Sequence, residues 1–458
     1  MQIHMIGHAS LFIRTANLAI LMDPILWDPH QEGLFDINPG RTVIHDNIPS
    51  INLIIISHRH LDHFDIRSLA SLPKLVPVLI PKDPLLERYL RALGFLKVQQ
   101  LADFSEVTIG ATTLFTTRSE NNVPEYGMIF QDESGVFWNQ VDSEVAPRTV
   151  STVLSRFPEI DFLLAGWQPM LETSFQTNGS VVFPYTRYGE TLYNVALASP
   201  RAVAPGANAF CYKRAAAWLN NVVFPVRKER FLNDIRQVLP TIGNNAFELD
   251  PGDVVSLENH ECRVISAGSN FVKLTGYRAD ISFSPVVLRA ALIDDNPNEV
   301  STEQLESTVK KITEVDLPDF MTGNRNAFLI HGKAGAIYQL EVVFPHKSLQ
   351  WHIDFRASIP KVSAGCNPLA NLFTYITASS LDGIASGTRG WDYALLGGYC
   401  RTFQKLYSIT TAGMLVPNPF ETPDPLRLLY PYQDVFMKVL DGELQRWNKA
   451  LEMTTAVA

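Results

Sequence analysis

Ser57-His58-Arg59-His60-Leu61-Asp62-His63 is the stretch that decides how this chain is read. It follows Leu53-Ile54-Ile55-Ile56, four apolar residues of which three are β-branched, the pattern of a buried strand. The polar cluster therefore begins where that strand ends, the place where sites form in layered α/β proteins. Three imidazoles and a carboxylate crowded together repel on protonation and resist burial unless a cation organises them. The spacing H-x-H-x-D-H suits a pair of divalent ions. His58 and His60, two apart, converge on one ion, and Asp62 and His63 face a second. The competing reading is a solvated loop that happens to be rich in histidine; the complete spacing weighs against it.

The rest of the composition is that of an ordinary globular protein, with 46% hydrophobic and 19% charged residues. At 458 residues the chain exceeds one usual domain. Two are expected, residues 1–245 carrying the site and residues 246–458 an α+β accessory domain for substrate binding or dimerisation. A net charge of −9 argues against a nucleic-acid partner bound by broad phosphate neutralisation. The four cysteines, Cys211, Cys262, Cys366 and Cys400, form no C-x-x-C pair. That suggests buried thiols in a reducing compartment and no zinc ribbon. Met1-Gln2-Ile3-His4-Met5-Ile6 reads as a first strand, and no apolar run approaches the roughly eighteen residues of a membrane span. A cytoplasmic enzyme is expected.

Along the chain, Gln2 to Ile6, Ala9 to Ile13 and Leu18 to Met22 read as strands, the last ending at Asp23-Pro24. Ile66 to Ser71 and Pro84 to Leu93 read as helices, with strands at Val76 to Ile80, Val98 to Leu101 and Thr112 to Thr116. Val136 to Asp142 reads as a strand ending in that carboxylate, and Asp161 to Trp167 as another. Residues 168–195 read as a Tyr-, Phe- and Thr-rich loop, and Lys213 to Leu239 as helical. In the second half, strands are expected at Ile337 to Phe344 and Leu349 to Phe355, and a helix at Leu369 to Gly383. His331, His346 and His352 stand singly among apolar residues and read as structural or exposed.

The H-x-H-x-D-H loop, together with Gly7-His8-Ala9-Ser10-Leu11 and Ile20-Leu21-Met22-Asp23-Pro24, resembles the metallo-β-lactamase fold superfamily. The branch it resembles includes the ascorbate-6-phosphate lactonase type and the CMP-N-acetylneuraminate hydroxylases. The likeness to those hydroxylases also draws on Asn139-Gln140-Val141-Asp142, Pro200 to Phe210, and Gly390-Trp391-Asp392-Tyr393. The resemblance implies an α/β (α+β) fold, an αββα sandwich with a mono- or dinuclear metal site at one edge. It implies Asp142 as the carboxylate bridging two ions, and His8 as a residue behind the ligands. Most relatives place a third histidine near position 120, but this chain has none between His63 and His260. Glu120 stands at the matching place, with Glu125 as a less well placed substitute. A carboxylate in place of imidazole favours iron or manganese over zinc, and the diiron amino-acid β-hydroxylase of this fold has a similar exchange. The last ligand of the second ion is open among Asn208, His260 and none.

Two chemistries follow for one set of ligands: His58, His60 and Glu120 on one ion, Asp62 and His63 on the other, Asp142 between them. The first is a diiron oxygenase that hydroxylates a small or carrier-linked substrate. The CMP-N-acetylneuraminate hydroxylases carry a Rieske centre, and this sequence has no C-x-H and C-x-x-H pair to hold one. Electrons would then come from a separate donor or from the substrate. The second is a zinc or manganese hydrolase of a phosphoester, lactone or amide, with Asp62 orienting the nucleophile.

Overall fold

The computed structural model describes residues 1–177, 179, 181–284, 292–417 and 422–457, and divides into two compact units. The first comprises Met1–Met170, Phe183–Ser284 and Glu443–Ala458; the second comprises Leu171–Val182 and Pro285–Gly442.

Alternation of apolar residues builds the first unit. In β1 (Gln2–Gly7), Ile3 and Met5 point to one face; in β2 (Ser10–Arg14), Leu11 and Ile13 do; in β3 (Ala19–Met22), Ile20 and Met22 do. These three strands pair antiparallel. β3 then pairs in parallel with β6 (Leu53–Ile55), β6 with β7 (Val78–Pro81), and β7 with β8 (Val98–Leu101). β6 and β7 are buried on both faces, which is why they read as continuous apolar runs, whereas β8 at the edge is largely accessible. α1 (Ile66–Ser71) and α2 (Pro84–Ala92) are the crossovers between them. Asp65 and Asp83 cap these helices, each carboxylate accepting backbone N–H groups of the first turn.

A second sheet runs β14 (Ala202–Pro205), β13 (Phe162–Ala165), β12 (Gly135–Asn139), β11 (Tyr126–Asp132), β10 (Thr112–Arg118) and β9 (Glu106–Ile109). Its inner residues Leu114, Met128, Phe130, Phe137, Phe162 and Leu164 close the core against the first sheet. Phe130, Phe137 and Phe162 form a ladder of stacked rings with centroids 5.4 Å apart at each step. The outer face, with Ile129, Trp138 and Leu163, is covered by α3 (Pro147–Arg156), α5 (Tyr185–Ala198) and α6 (Lys228–Val238). Two short ribbons, β4 (Phe35–Ile37) with β15 (Phe210–Tyr212) and β5 (Arg41–Val43) with β18 (Val272–Leu274), complete the unit.

Three expectations change. The boundary near 245 falls too early: β16 (Val254–Glu258) pairs with β1 and β17 (Glu261–Ile265) with β16, extending the first sheet. Val255 and Leu257 belong to the sandwich core, so these strands cannot leave it. Residues 168–195 are not one loop. α5 is helical because Tyr188, Val195 and Ala198 recur on one face and pack under the second sheet. Gly189 and the aromatic residues of the segment hide that period. The stretch Lys213 to Leu239 is interrupted between a 3-10 turn at Arg214–Asn221 and α6.

In the second unit, α4 (Glu172–Gln176) is a single short helix. Helices α7 (Thr302–Lys311), α8 (Leu317–Gly323) and α9 (Leu329–Lys333) precede a five-stranded sheet. Its order is β21 (Val362–Ala364), β20 (Ser348–Asp354), β19 (Ile337–Val343), β22 (Leu372–Thr377) and β23 (Cys400–Gln404), and β24 (Tyr407–Ile409) pairs with β25 (Leu415–Pro417). The expected helix at Leu369 to Gly383 is instead β22 followed by α10 (Ala378–Ser386). Leu372-Phe373-Thr374-Tyr375-Ile376-Thr377 is β-branched and aromatic with period 2, which favours a strand. Thr377 then caps the helix through its hydroxyl. His331 donates through Nε2 to the Pro423 carbonyl and is a structural residue.

Truncating the centre of the ring ladder tests this account. Phe137→Ala is expected to cost about 3–5 kcal/mol, the range for a fully buried Phe lost from a core. Urea unfolding followed by tryptophan fluorescence, where Trp138 is the neighbouring reporter, would read it.

Candidate metal centre

β3 ends at Met22 beside Ile55, the end of β6, so Asp23 and Ser57 leave the sheet side by side. Asp23 is wholly buried. Its Oδ1 accepts the Ser57 N–H at 2.7 Å, and its Oδ2 accepts the Ser57 hydroxyl at 2.6 Å and His63 Nδ1–H at 3.0 Å. This is the carboxylate–histidine pairing found behind metal ligands: it fixes the tautomer and turns Nε2 toward the site. Asp23 holds the site from behind.

His63 Nε2 lies 3.3 Å from Asp142 Oδ2, 3.9 Å from Asp62 Oδ2 and 3.2 Å from His8 Nε2. His58 Nδ1 lies 3.9 Å from Asp142 Oδ1. His60 meets the His58 ring edge-on with centroids 4.6 Å apart. Two overlapping groups result, His58–His63–Asp142 and His8–Asp62–His63, each offering ligand atoms within 4.8 Å of one another. The donor set fits a cation. His58 Nε2 and Asp142 Oδ1 are buried without a hydrogen-bond partner among the described residues, an arrangement that is costly unless something positive completes it.

The charges agree. Burial alone would raise Asp62 and Asp142, but neighbouring imidazoles, His63 foremost, hold both carboxyls below the usual range. Burial would depress His63, yet Asp142 and Asp62 hold it well above the ordinary imidazole value. Burial and the proximity of His63 push His58 well below it. A site with three buried or half-buried acids and histidines shifted in opposite directions is one whose protons a metal would displace.

The backbone is strained around the same point. His8, Asp23, Val141 and Asn208 all adopt positive φ, at 50°, 43°, 58° and 67°. Val141 is β-branched, so its conformation is a genuine outlier. Each such residue costs on the order of 1–3 kcal/mol and persists where the surroundings over-determine it, as they do at functional sites. Here the strain aims Asp142 inward from the end of β12.

Glu120 is placed differently from expectation. Arg148 donates to both of its oxygens, at 2.7 and 2.9 Å, and Arg118 Nε lies 3.2 Å from Oε1. Neither it nor Glu125 belongs to either cluster. Glu125 is the inward carboxylate. It is buried, accepts from Ser143, Ser119 and Asn121, and is pushed up to about 7 by burial and by the charge of Asp142. The Tyr126 N–H donates to the Ser57 carbonyl, which docks the start of β11 on the metal loop and carries Glu125 with it. Spacing from Thr117 favoured Glu120; the polar pair Ser119 and Asn121, which hydrogen-bond Glu125, was the available signal for the other residue. His260 is away from the site, its Nδ1 2.9 Å from Asp161. Asn208 is at the site through its backbone, whose N–H donates to His8 Nδ1 at 2.8 Å. His8, which the resemblance places behind the ligands, lies against both Asp62 and His63.

A cleft of about 320 Å³ opens on the cluster, lined by Asp142, Gln140, Trp167, Arg187 and Asn208 among others. That is the lower end of the range for small-molecule sites.

Residues 2–145 match the family profile described as the beta-lactamase superfamily domain. The match covers β1 through the Asp142 turn and so every residue of the two clusters. A Mycolicibacterium smegmatis protein named as a Rieske 2Fe-2S iron–sulfur protein is 25% identical over 187 residues, 37% of this chain and 36% of that protein. The chain thus spans about a third of that relative's length. Among solved structures, an isothiocyanate hydrolase from Delia radicum gut bacteria is 17% identical, covering 57% of this chain and 100% of its own, with a TM-score of 0.40. CmlA, a diiron β-hydroxylase from Streptomyces venezuelae, is 17% identical over 58% of this chain and 53% of its own, with a TM-score of 0.39. No helix among the described residues is long and apolar enough to cross a membrane.

Two substitutions test the arrangement. Asp23→Asn removes the charge behind His63 and is expected to weaken Zn2+ binding by about 10–100-fold, measured by isothermal titration, with the fold retained. Glu125→Gln is expected to lower metal content by elemental analysis, while Glu120→Gln, which loses only a solvated pair with arginines, leaves it unchanged.

Proposed function

We propose that this chain is a dinuclear, iron-dependent oxygenase that hydroxylates a small or carrier-linked substrate. One observation carries the proposal: the buried carboxylate Glu125 beside Asp142, in a domain with no histidine from residue 64 to residue 259. In this reading His58, His60, Glu125, Asp62, His63 and Asp142 are the residues that would hold the ions. Asp62 and Asp142 are the residues nearest the reacting atoms. Three carboxylates against three imidazoles make a hard, anionic donor set, which suits iron or manganese better than zinc. Bound iron would supply the activation of dioxygen that no side chain here can perform.

The chain's own part is positioning. Asp23 and Ser57 lock His63, and Ser143, Ser119 and Asn121 hold Glu125. The cleft admits a small molecule or the end of a tethered one, with Trp167, fixed by its Nε1–H donating to the Ala207 carbonyl, as part of its wall. Electrons would come from a donor outside the two clusters or from the substrate. A hydrolase remains the second reading because the same ligands would hold zinc, and Asp62, half-buried at the centre, could then orient a water.

The deciding measurement is elemental analysis of protein purified without added metal and again after anaerobic reconstitution with ferrous iron. About two irons per chain, with oxygen consumed when a chemical reductant is supplied, is the expected result. Zinc or manganese in the purified protein, with no iron taken up on reconstitution, would sink the oxygenase and favour the hydrolase.

A further inference from the structure

We infer that His8 is a fixed hydrogen-bond donor that positions Asp62, and is not a metal ligand beside Asp62 and His63. By distance alone it qualifies as a ligand, since it shares a cluster with those two residues. Its protonation geometry excludes that role. The Asn208 backbone N–H points at His8 Nδ1 from 2.8 Å. A backbone amide can only donate, so Nδ1 must keep its lone pair. The single proton of the neutral ring is then on Nε2. A histidine that ligates through Nε2 has the opposite tautomer, with Nδ1–H donating to a carboxylate or carbonyl, as His63 does to Asp23. Two histidines of one cluster are therefore wired in opposite senses.

The acceptors for His8 Nε2–H are at hand: Asp62 Oδ2 at 3.3 Å and His63 Nε2 at 3.2 Å. Once an ion occupies the His63 lone pair, the bond to Asp62 is the one that remains. Asp62 would then have one oxygen tied to His8, leaving the other for the ion.

The ring cannot turn to escape this assignment. A half-turn about Cβ–Cγ would set a carbon against the Asn208 N–H and leave that amide buried and unpaired. Phe210 meets the ring edge-on at 5.3 Å, and His30 stacks at 6.4 Å. Two strained residues hold the pair: His8 at φ 50° and Asn208 at φ 67°. Gly7, before it, has φ 133°, and a Cβ there would stand 2.5 Å from Ile37 Cγ2, so only glycine delivers His8 to this position.

The inference rests on the reading of the cluster as a metal centre, and the experiment separates the two. Nitrogen-15 NMR of histidine-labelled protein, with the His8 signals assigned by their loss in His8→Gln, reports the tautomer directly. Before and after Zn2+ addition, His8 is expected to show a bare Nδ1 and a protonated Nε2. A protonated Nδ1, or loss of the Nε2 proton when zinc is added, would overturn the inference. Zinc titration supplies the second readout. Glutamine can accept from Asn208 and donate to Asp62, so His8→Gln should bind both zinc ions within about 3-fold of the wild type, whereas His8→Leu should lose about 10–100-fold. A His8→Gln protein that loses one ion, as a missing ligand would require, also overturns it. If the wild type binds no zinc, the metal reading fails, and the tautomer in the metal-free protein still decides whether His8 is the donor described.

Discussion

The site depends on one buried carboxylate. Asp23 accepts two hydrogen bonds from Ser57 and one from His63, and has no contact with water. A carboxylate so placed is stable only while all its donors are present. It therefore ties the end of β3 to the loop after β6 and sets the direction of the central histidine with the same group. The parallel pairing of β3 with β6 is what allows this, since it brings both strand ends to one edge of the sheet. The sandwich core and the orientation of a ligand are thus coupled through a single side chain.

Around that hub the protein tolerates strain and like-charge crowding that it avoids elsewhere. Val141 adopts a backbone conformation hostile to a β-branched side chain, immediately before Asp142. Asp62, Asp142 and Glu125 gather within reach of the same imidazoles. Neither feature helps the metal-free fold, and both make sense where a cation supplies the missing interaction. The opposite wiring of His8 and His63 adds a division of labour. One imidazole offers a lone pair, and the other offers a proton to the carboxylate between them.

Much of this was legible along the chain. Local signals such as the H-x-H-x-D-H spacing, the β-branched run before it and the strand leading to Asp142 need only short-range chemistry to interpret. The strands of the sandwich and the helices α1 and α2 could be read from their apolar patterns. Where local rules competed, reading along the chain was less secure. Residues 369–377 were apolar enough for a helix but β-branched enough for a strand, and the sheet won. The helix at 185–198 was masked by a glycine and by aromatic side chains whose burial only the second sheet provides.

Sequence by itself determined the metal loop, the sandwich class and the lack of a third histidine, because each is written in residue type and spacing. Only the tertiary structure shows how differently Glu120 and Glu125 are partnered. Five residues apart on a loop, they share a residue type and differ in spacing, and the distant partners that each meets set them apart. Arg148 and Arg118 pair with Glu120 at the cleft, while the docking of Tyr126 on Ser57 carries the buried Glu125 in beside Asp142. The same holds for His8, whose tautomer is dictated by a backbone amide two hundred residues away. Hydrogen-bond direction is a property of partners in space, and no spacing along the chain encodes it.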